Sequence, residues 1–382
     1  MRLLPIVLLL ASLPAAAATF KVTLLAPAND ARLDRNRVER AFLNQPGGPA
    51  ADGVKVAFEE GQFELDAAGA KLELTVVEVA DAAAAKAAAA AAEKAGVAAL
   101  VTDLPAAWTL AASDGAAKTT LLNVGDASDS LRAADCRRNL FHVVPSERMR
   151  ADALAQALVA RKWSNVLLLT STLPADQPRI ATVQASIKRY GLKLAGSKPF
   201  KLSADPRERE LGNPLLLTQG SYDVVWVVDG DGEFAAMLPY RTALPRPVVG
   251  DGGLVPVAWA TQFERYGAPQ VSRRFAKAAK RPMTGPDWVS WLAGKALVAA
   301  ASAAPKGPNA AFQKALAEAD LDGSKGVQMS FRPWDGQLRQ PVLLANGQAV
   351  IGLAPADGVL HPKNNLDTLG ADAPEKLCRV RS

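Results

Sequence analysis

FRPWDGQLRQPVLLANGQAV, residues Phe331–Val350, alternates strand-like runs with turn pairs. Val327–Arg332, Gln340–Leu344 and Ala349–Leu353 read as three strands. Asp335-Gly336 and Asn346-Gly347 read as hairpin turns, because these dipeptides accept the positive φ that a tight turn demands. The stretch follows a long region of mixed α and β character and comes near the end of the chain. It therefore reads as a short β segment that closes a longer α/β chain.

The chain upstream fits that view. Thr19–Ala26 is a first strand, and Arg32–Gln45 and Gly53–Leu65 are at least partly helical. Lys71–Val79 is a strand, and Asp81 is placed to cap an alanine-rich helix, Ala82–Lys94, that ends at Gly96. Val97–Val101 and Thr119–Val124 are short apolar strands. A second series begins at Leu140–Val144, where Ser146 is placed to cap the helix Glu147–Lys162. Strand Asn165–Thr170, helix Ile180–Tyr190, an extended Lys193–Lys201 and strands Tyr222–Val228 and Pro247–Gly250 follow. Gln270–Lys280, Pro286–Ala303 and Asn309–Glu318 are three successive helices. Short buried strands alternating with helices predict an α/β protein with parallel sheets covered on both faces.

The ends and the composition narrow the function. Met1–Ala18 reads as a cleavable secretory signal: Arg2 opens it, Leu3–Leu10 is its apolar segment, and Ala16-Ala17-Ala18 offers the cleavage site before Thr19. Its apolar run is shorter than the roughly 20 residues of a membrane span. The chain has two cysteines, Cys136 and Cys378. In an oxidising compartment these favour one disulfide, with two separate buried thiols as the alternative. The net charge of +6 is scattered over helix faces and loops, as at Arg273, Arg274 and Lys277, without interleaved aromatics. That excludes a nucleic-acid interface. There is no G-x-S-x-G elbow, and the two histidines, His142 and His361, lie in separate segments. The protein reads as a non-enzyme with no cofactor. Gly230-Asp231-Gly232-Glu233-Phe234-Ala235 matches G-x-G-x-x-A after a strand, but Asp231 and Glu233 would face a pyrophosphate, which excludes a dinucleotide.

Ligands of open α/β sheets bind beyond the carboxyl ends of the strands. The loops there carry Thr102 and Asp103, then Asp126 and Ser128, then Ser171 and Thr172, then Asp229 and Asp231, then Asp251. Trp108 and Trp259 are the aromatics placed to wall a pocket. We take Thr102, Asp103, Trp108, Asp126, Ser128, Ser171, Thr172, Asp229, Asp231 and Asp251 as the candidate ligand-binding set. Two readings of the carboxylates stay open. Either they cap the helices that follow, or Asp103, Asp229, Asp231 and Asp251 converge on a multivalent cation such as calcium or a lanthanide. Asp103 is expected to repel the carboxylate of an α-amino acid.

Phe331, Asp335, Gly336, Pro341, Asn346, Gly347 and Val350 match the pattern F-x-x-x-D-G-x-x-x-x-P, hydrophobic strand, N-G-x-x-V, and Phe141, Pro145 and Ser146 match F-x-x-x-P-S. On these residues the chain resembles the type I periplasmic solute-binding proteins, whose model members bind branched-chain amino acids. The resemblance implies two Rossmann-like lobes with parallel-core sheets, joined by a multi-crossing hinge. The divisions it implies are 1–18 signal, 19–144 first lobe, 145–252 second lobe, 253–326 return to the first lobe, and 327–382 hinge crossing, second-lobe strands and tail. A narrower similarity is carried by PWDGQLRQPVLLA (333–345) and NNLDTLGADAPEKLCR (364–379). These resemble the binding proteins associated with PQQ-dependent alcohol dehydrogenase systems. The implied protein is a periplasmic, monomeric receptor that delivers a small molecule or ion to an inner-membrane ABC transporter permease and its ATPase. A ligand sensor for a membrane receptor is the other class compatible with the same fold.

Overall fold

The structure, a computed structural model, describes residues 17–381. Residues 1–16 of the signal segment read at 1–18 lie outside the described residues. Strand β1 (Ala18–Pro27) leads into helices α1 (Arg35–Arg40), α2 (Ala50–Glu60) and α3 (Gln62–Ala68) and strand β2 (Ala70–Val79). Then come α4 (Ala82–Lys94), β3 (Ala99–Thr102), α5 (Ala106–Gly115), β4 (Thr120–Asn123) and β5 (Leu140–His142). The five strands form one parallel sheet in the order β2-β1-β3-β4-β5. Asp81 caps α4 as expected, accepting a hydrogen bond from Ala84 N at 2.7 Å. Helix α5 was not anticipated, because Pro105, Thr109, Ser113 and Asp114 break its apolar period; Trp108 is therefore a helical residue.

The second series is α6 (Glu147–Ala160), β6 (Asn165–Ser171), α7 (Gln177–Arg189) and β7 (Lys193–Phe200), followed by α8 (Pro214–Leu217), β8 (Val224–Val228), α9 (Glu233–Met237) and β9 (Val248–Gly250). Its four strands form a second parallel sheet, β7-β6-β8-β9. Ser146 Oγ accepts from Met149 N at 3.1 Å and fixes the start of α6.

The chain continues through β10 (Val255–Val257), α10 (Ala268–Ala279), α11 (Gly285–Ala303) and α12 (Asn309–Ala317). It ends with β11 (Leu321–Asp322), β12 (Gln328–Met329), β13 (Val342–Ala345) and β14 (Val350–Ala354). Helix α11 packs on α2 at very short range. A Cβ on Gly53 would lie 2.6 Å from the Asp287 carbonyl, and one on Gly294 would lie 2.6 Å from Ala57 Cβ. Helices α10 to α12 thus join the core of the first sheet, with Trp288, Leu292, Leu297 and Phe312 fully buried against Val22 and Leu24.

One expectation for the crossing needs correction. The strand expected at Val327–Arg332 shrinks to Gln328–Met329, paired with Leu321–Asp322, because the chain turns early and only Phe331 bridges to Leu338. The short β10, inside the stretch 253–326, pairs antiparallel with β13, which pairs with β14, while Val255 and Val257 enter the core of the first sheet. Side chains alternate across a strand, and β13 uses this: Val342 and Leu344 enter the core of the second sheet, and Leu343 and Ala345 that of the first. One buried strand therefore belongs to both bodies. Cys136 and Cys378 form a disulfide across 242 residues of chain, fastening the tail beside the first sheet.

Candidate functional site

Both sheets reverse their strand order next to the first strand laid down, β1/β3 in one and β6/β8 in the other. Crevices open at the carboxyl ends of strands at such switch points. The largest well-formed cavity there is a cleft of about 520 Å³, lined from the first lobe by Arg32, Arg37, Asp103 and Asp126 and from the second by Glu147, Arg150, Arg179 and Thr182.

The carboxylates of the cleft are already engaged. Asp103 accepts from Arg32 Nη1 at 2.9 Å, and Arg32 is also held by Asp30 at 2.6 Å. Asp126 accepts from Ala106 N and Ser128 N, both at 2.8 Å, so it seats the start of α5 and closes its own loop. Asp129 accepts from Arg148 N and from Thr182 Oγ1, each at 3.0 Å, joining the two lobes. Glu147 faces Arg179 and Arg150 at 3.4 and 3.3 Å. Burial works against the Glu147 charge, but these two arginines outweigh it and hold the carboxyl below its ordinary value. Asp287 is bound by Arg281 at 2.6 Å and by Thr284.

The arginines are less satisfied. The Arg37 side chain has no partner among the described residues. Arg150 has one long bond to Glu147, and its Nε is buried with no hydrogen-bond partner. The unfilled capacity of the cleft is thus donor capacity carried by cations. A buried donor left unpaired costs about 1–3 kcal/mol, which an acceptor-rich solute would recover.

Among the residues singled out from the sequence, Asp103, Asp126 and Ser128 line this cleft. Asp251 lies just beside it in a small adjoining cavity, accepting from Arg179 Nη2 at 2.6 Å and from Asp229 N at 2.7 Å. Thr102 is fully buried at the end of β3 with its Oγ1 unpartnered, outside the lining. Ser171 is buried and accepts from Leu173 N, while Thr172 is exposed, and neither lines the cleft. Asp229 accepts from Ala235 N at 2.9 Å and so fixes α9, and Asp231 is exposed. Trp108 packs against the apolar cluster between α4, α5 and the first sheet and does not line the cleft, and Trp259 is buried in a stack with Trp288. The cation reading finds no support in this geometry. Among the described residues no three His, Cys, Asp or Glu side chains gather as a metal site. Asp103, Asp229 and Asp251 each hold an arginine or a backbone N–H instead. The repulsion expected from Asp103 is also reduced by Arg32, which it shares with Asp30.

Sequence reasoning missed Arg32, Arg37, Arg150 and Arg179. One signal was available: Arg32 and Arg37 follow β1, whose carboxyl end is the switch point, and Arg150 and Arg179 stand in the first turns of α6 and α7.

Comparison with known proteins agrees on architecture. A family model described as periplasmic binding protein matches residues 43–208. None of the curated proteins compared with the chain matches it. An ABC transporter substrate-binding protein from Sphaerobacter thermophilus superposes with a TM-score of 0.71 at 14% identity, covering 92% of this chain and 100% of that one. A solute-binding protein of an ABC transporter from R. palustris, in complex with benzoate, gives 0.64 at 14% identity over 88% and 96% of the two chains. The closed leucine-, isoleucine-, valine-, threonine- and alanine-binding protein from Brucella ovis gives 0.66 at 12% over 86% and 89%. Among the described residues no helix is long and apolar enough to cross a membrane. Two parallel α/β lobes joined through a shared antiparallel strand, with the cleft at their switch points, give this chain the fold of the type I periplasmic binding proteins.

Proposed function

We propose that the protein is the periplasmic solute-binding component of an ABC transporter. It captures a small, negatively charged, acceptor-rich solute between its lobes and presents the loaded form to an inner-membrane permease driven by an ATPase. The observation that carries this reading is the cleft itself: its carboxylates are engaged, and its unfilled groups are the guanidiniums of Arg37 and Arg150. Arginine forks suit carboxylates and other oxyanions. That proteins of the same fold include ABC transporter substrate-binding proteins, one of them holding benzoate, supports the assignment. Periplasmic placement rests on the reading of Met1–Ala18. Service to a PQQ-dependent alcohol oxidation system rests on the resemblance of residues 333–345 and 364–379. Asp103, Asp126 and Ser128 remain in the proposed contact set, now joined by Arg37 and Arg150.

The test is a thermal-shift panel of aliphatic and aromatic carboxylates, PQQ, branched-chain amino acids, neutral alcohols, calcium and a lanthanide. A ligand that binds only the folded state raises the melting temperature by mass action. We expect stabilisation by at least one anionic solute and none by the cations. Stabilisation confined to neutral alcohols or to metals would refute the anionic assignment.

A further inference from the structure

A second cavity, of about 210 Å³, lies beyond the Asp129–Thr182 bond that bounds the cleft. Its volume is several times the roughly 30 Å³ share of one water. Four arginines line it from separate elements: Arg132 after β4, Arg148 on α6, Arg189 on α7 and Arg332 on the crossing. Two carboxylates, Asp129 and Asp335, line it as well.

Three of the arginines reach carboxylates outside the cavity. Arg189 binds Asp152 at 2.8 Å, Arg332 binds Asp367 at 2.9 Å, and the Arg148 terminal nitrogens bind Glu375 at 2.8 and 2.7 Å. Two features are left over. The Arg148 Nε is buried without a hydrogen-bond partner, its carboxylate neighbour Asp152 Oδ2 standing 3.7 Å away, beyond hydrogen-bond reach. Arg132 is buried and bonds only the side-chain oxygen of Gln337 and the carbonyls of Asp126, Ser128 and Val144. Burial pulls Arg132 down to about 10, against the weaker pull of Asp129, Asp126 and Asp335. On the same lining, Asp335 accepts one bond from Gln337 N and stands 3.8 Å from Arg332 Nη1, so a carboxylate oxygen there has acceptor capacity to spare.

We infer that this cavity is a second site, for a protonated tetrahedral oxyanion of the phosphate class. Hydrogen phosphate accepts from the Arg148 and Arg132 guanidiniums and donates its proton to Asp335. Sulfate accepts equally well but has no proton at neutral pH, so it meets Asp335 as a like charge. The site is separate from the solute cleft, and its walls come from both lobes and the tail.

The test is calorimetric titration of the full chain with inorganic phosphate and with sulfate at pH 7, ionic strength being held constant with chloride. We expect one saturable phosphate site per chain and sulfate at least tenfold weaker. Arg148→Gln should weaken phosphate at least tenfold, and Asp335→Asn should bring sulfate within threefold of phosphate. Circular dichroism verifies that the variants are folded. If Arg148→Gln does not fold, Arg148→Lys, which keeps the charge facing Glu375 but removes the Nε donor, carries the same expectation. No phosphate binding beyond chloride, phosphate binding unchanged in the arginine variant, or sulfate binding as tightly as phosphate to the wild-type chain would each overturn the inference.

Discussion

Glu147 and Arg150 stand one turn apart at the start of α6, and Arg179 closes on the same carboxylate from α7. The Glu147 carboxyl has its pKa lowered in the folded state, so its contribution to stability is complete above the unfolded value, near 4.5, and is lost as pH falls through the lower folded value. Glu147→Gln removes that contribution. The variant should be less stable at pH 7, on the order of 2 kcal/mol, and its melting temperature should fall less steeply than wild type below pH 4.5; thermal denaturation between pH 7 and pH 3 measures both. The acidic half of the site was legible because Asp103 and Asp126 follow strands directly, where ligands of α/β sheets gather. The basic half was not. Arg150 and Arg179 are brought together on Glu147 by two helices of the second lobe, Arg37 joins the same lining only from the other lobe, and in sequence each looks like an ordinary surface charge. What the Asp residues do also depends on partners that sequence spacing cannot supply: Arg32 for Asp103, the start of α5 for Asp126.

At the scale of elements, the crossing stretch was the most legible part of the chain, and a buried ion network holds it. Arg332 is fully buried. Its Nε donates to Asp367 at 2.9 Å and its Nη2 to the carbonyls of Leu366 and Leu369, while Arg339 shares the same carboxylate. Asp367→Ala leaves two guanidiniums without their anion, one of them fully buried. Breaking a buried pair on one side costs about 3–5 kcal/mol, and chemical denaturation should register a loss of that size. The disulfide acts on the same tail. Cys136→Ala with Cys378→Ala should lower stability by about 2–5 kcal/mol in non-reducing buffer, with no further loss on adding reductant. The turns at Asp335-Gly336 and Asn346-Gly347 could be read because glycine at positive φ is a local requirement, met here by Gly336 at +71° and Gly347 at +82°. Strand β10 could not: Val-Pro-Val is too short, and its pairing partner lies far along the chain.

At the scale of the whole molecule, the segment after β1 reaches across the cleft mouth. Arg40 Nη1 meets Glu233 Oε1 at 2.6 Å, with both side chains about half exposed, and Phe42 packs beside Gly232. Exposed pairs of this kind contribute about 0–1 kcal/mol. Arg40→Ala should therefore shift unfolding by less than about 1 kcal/mol, in contrast to the loss from Asp367→Ala, because the lobes are held together by the shared strand and its ion network. The cleft governs what the molecule selects, and the unpaired Arg37 guanidinium and the incompletely bonded Arg150 guanidinium are its deciding feature. The most direct test is isothermal titration of the best anionic solute from the panel into wild type and into the folded Arg37→Gln/Arg150→Gln double variant. One site per chain with at least tenfold weaker binding in the variant is the predicted result. Equal affinity in the two proteins would contradict an anion held between the lobes by these arginines.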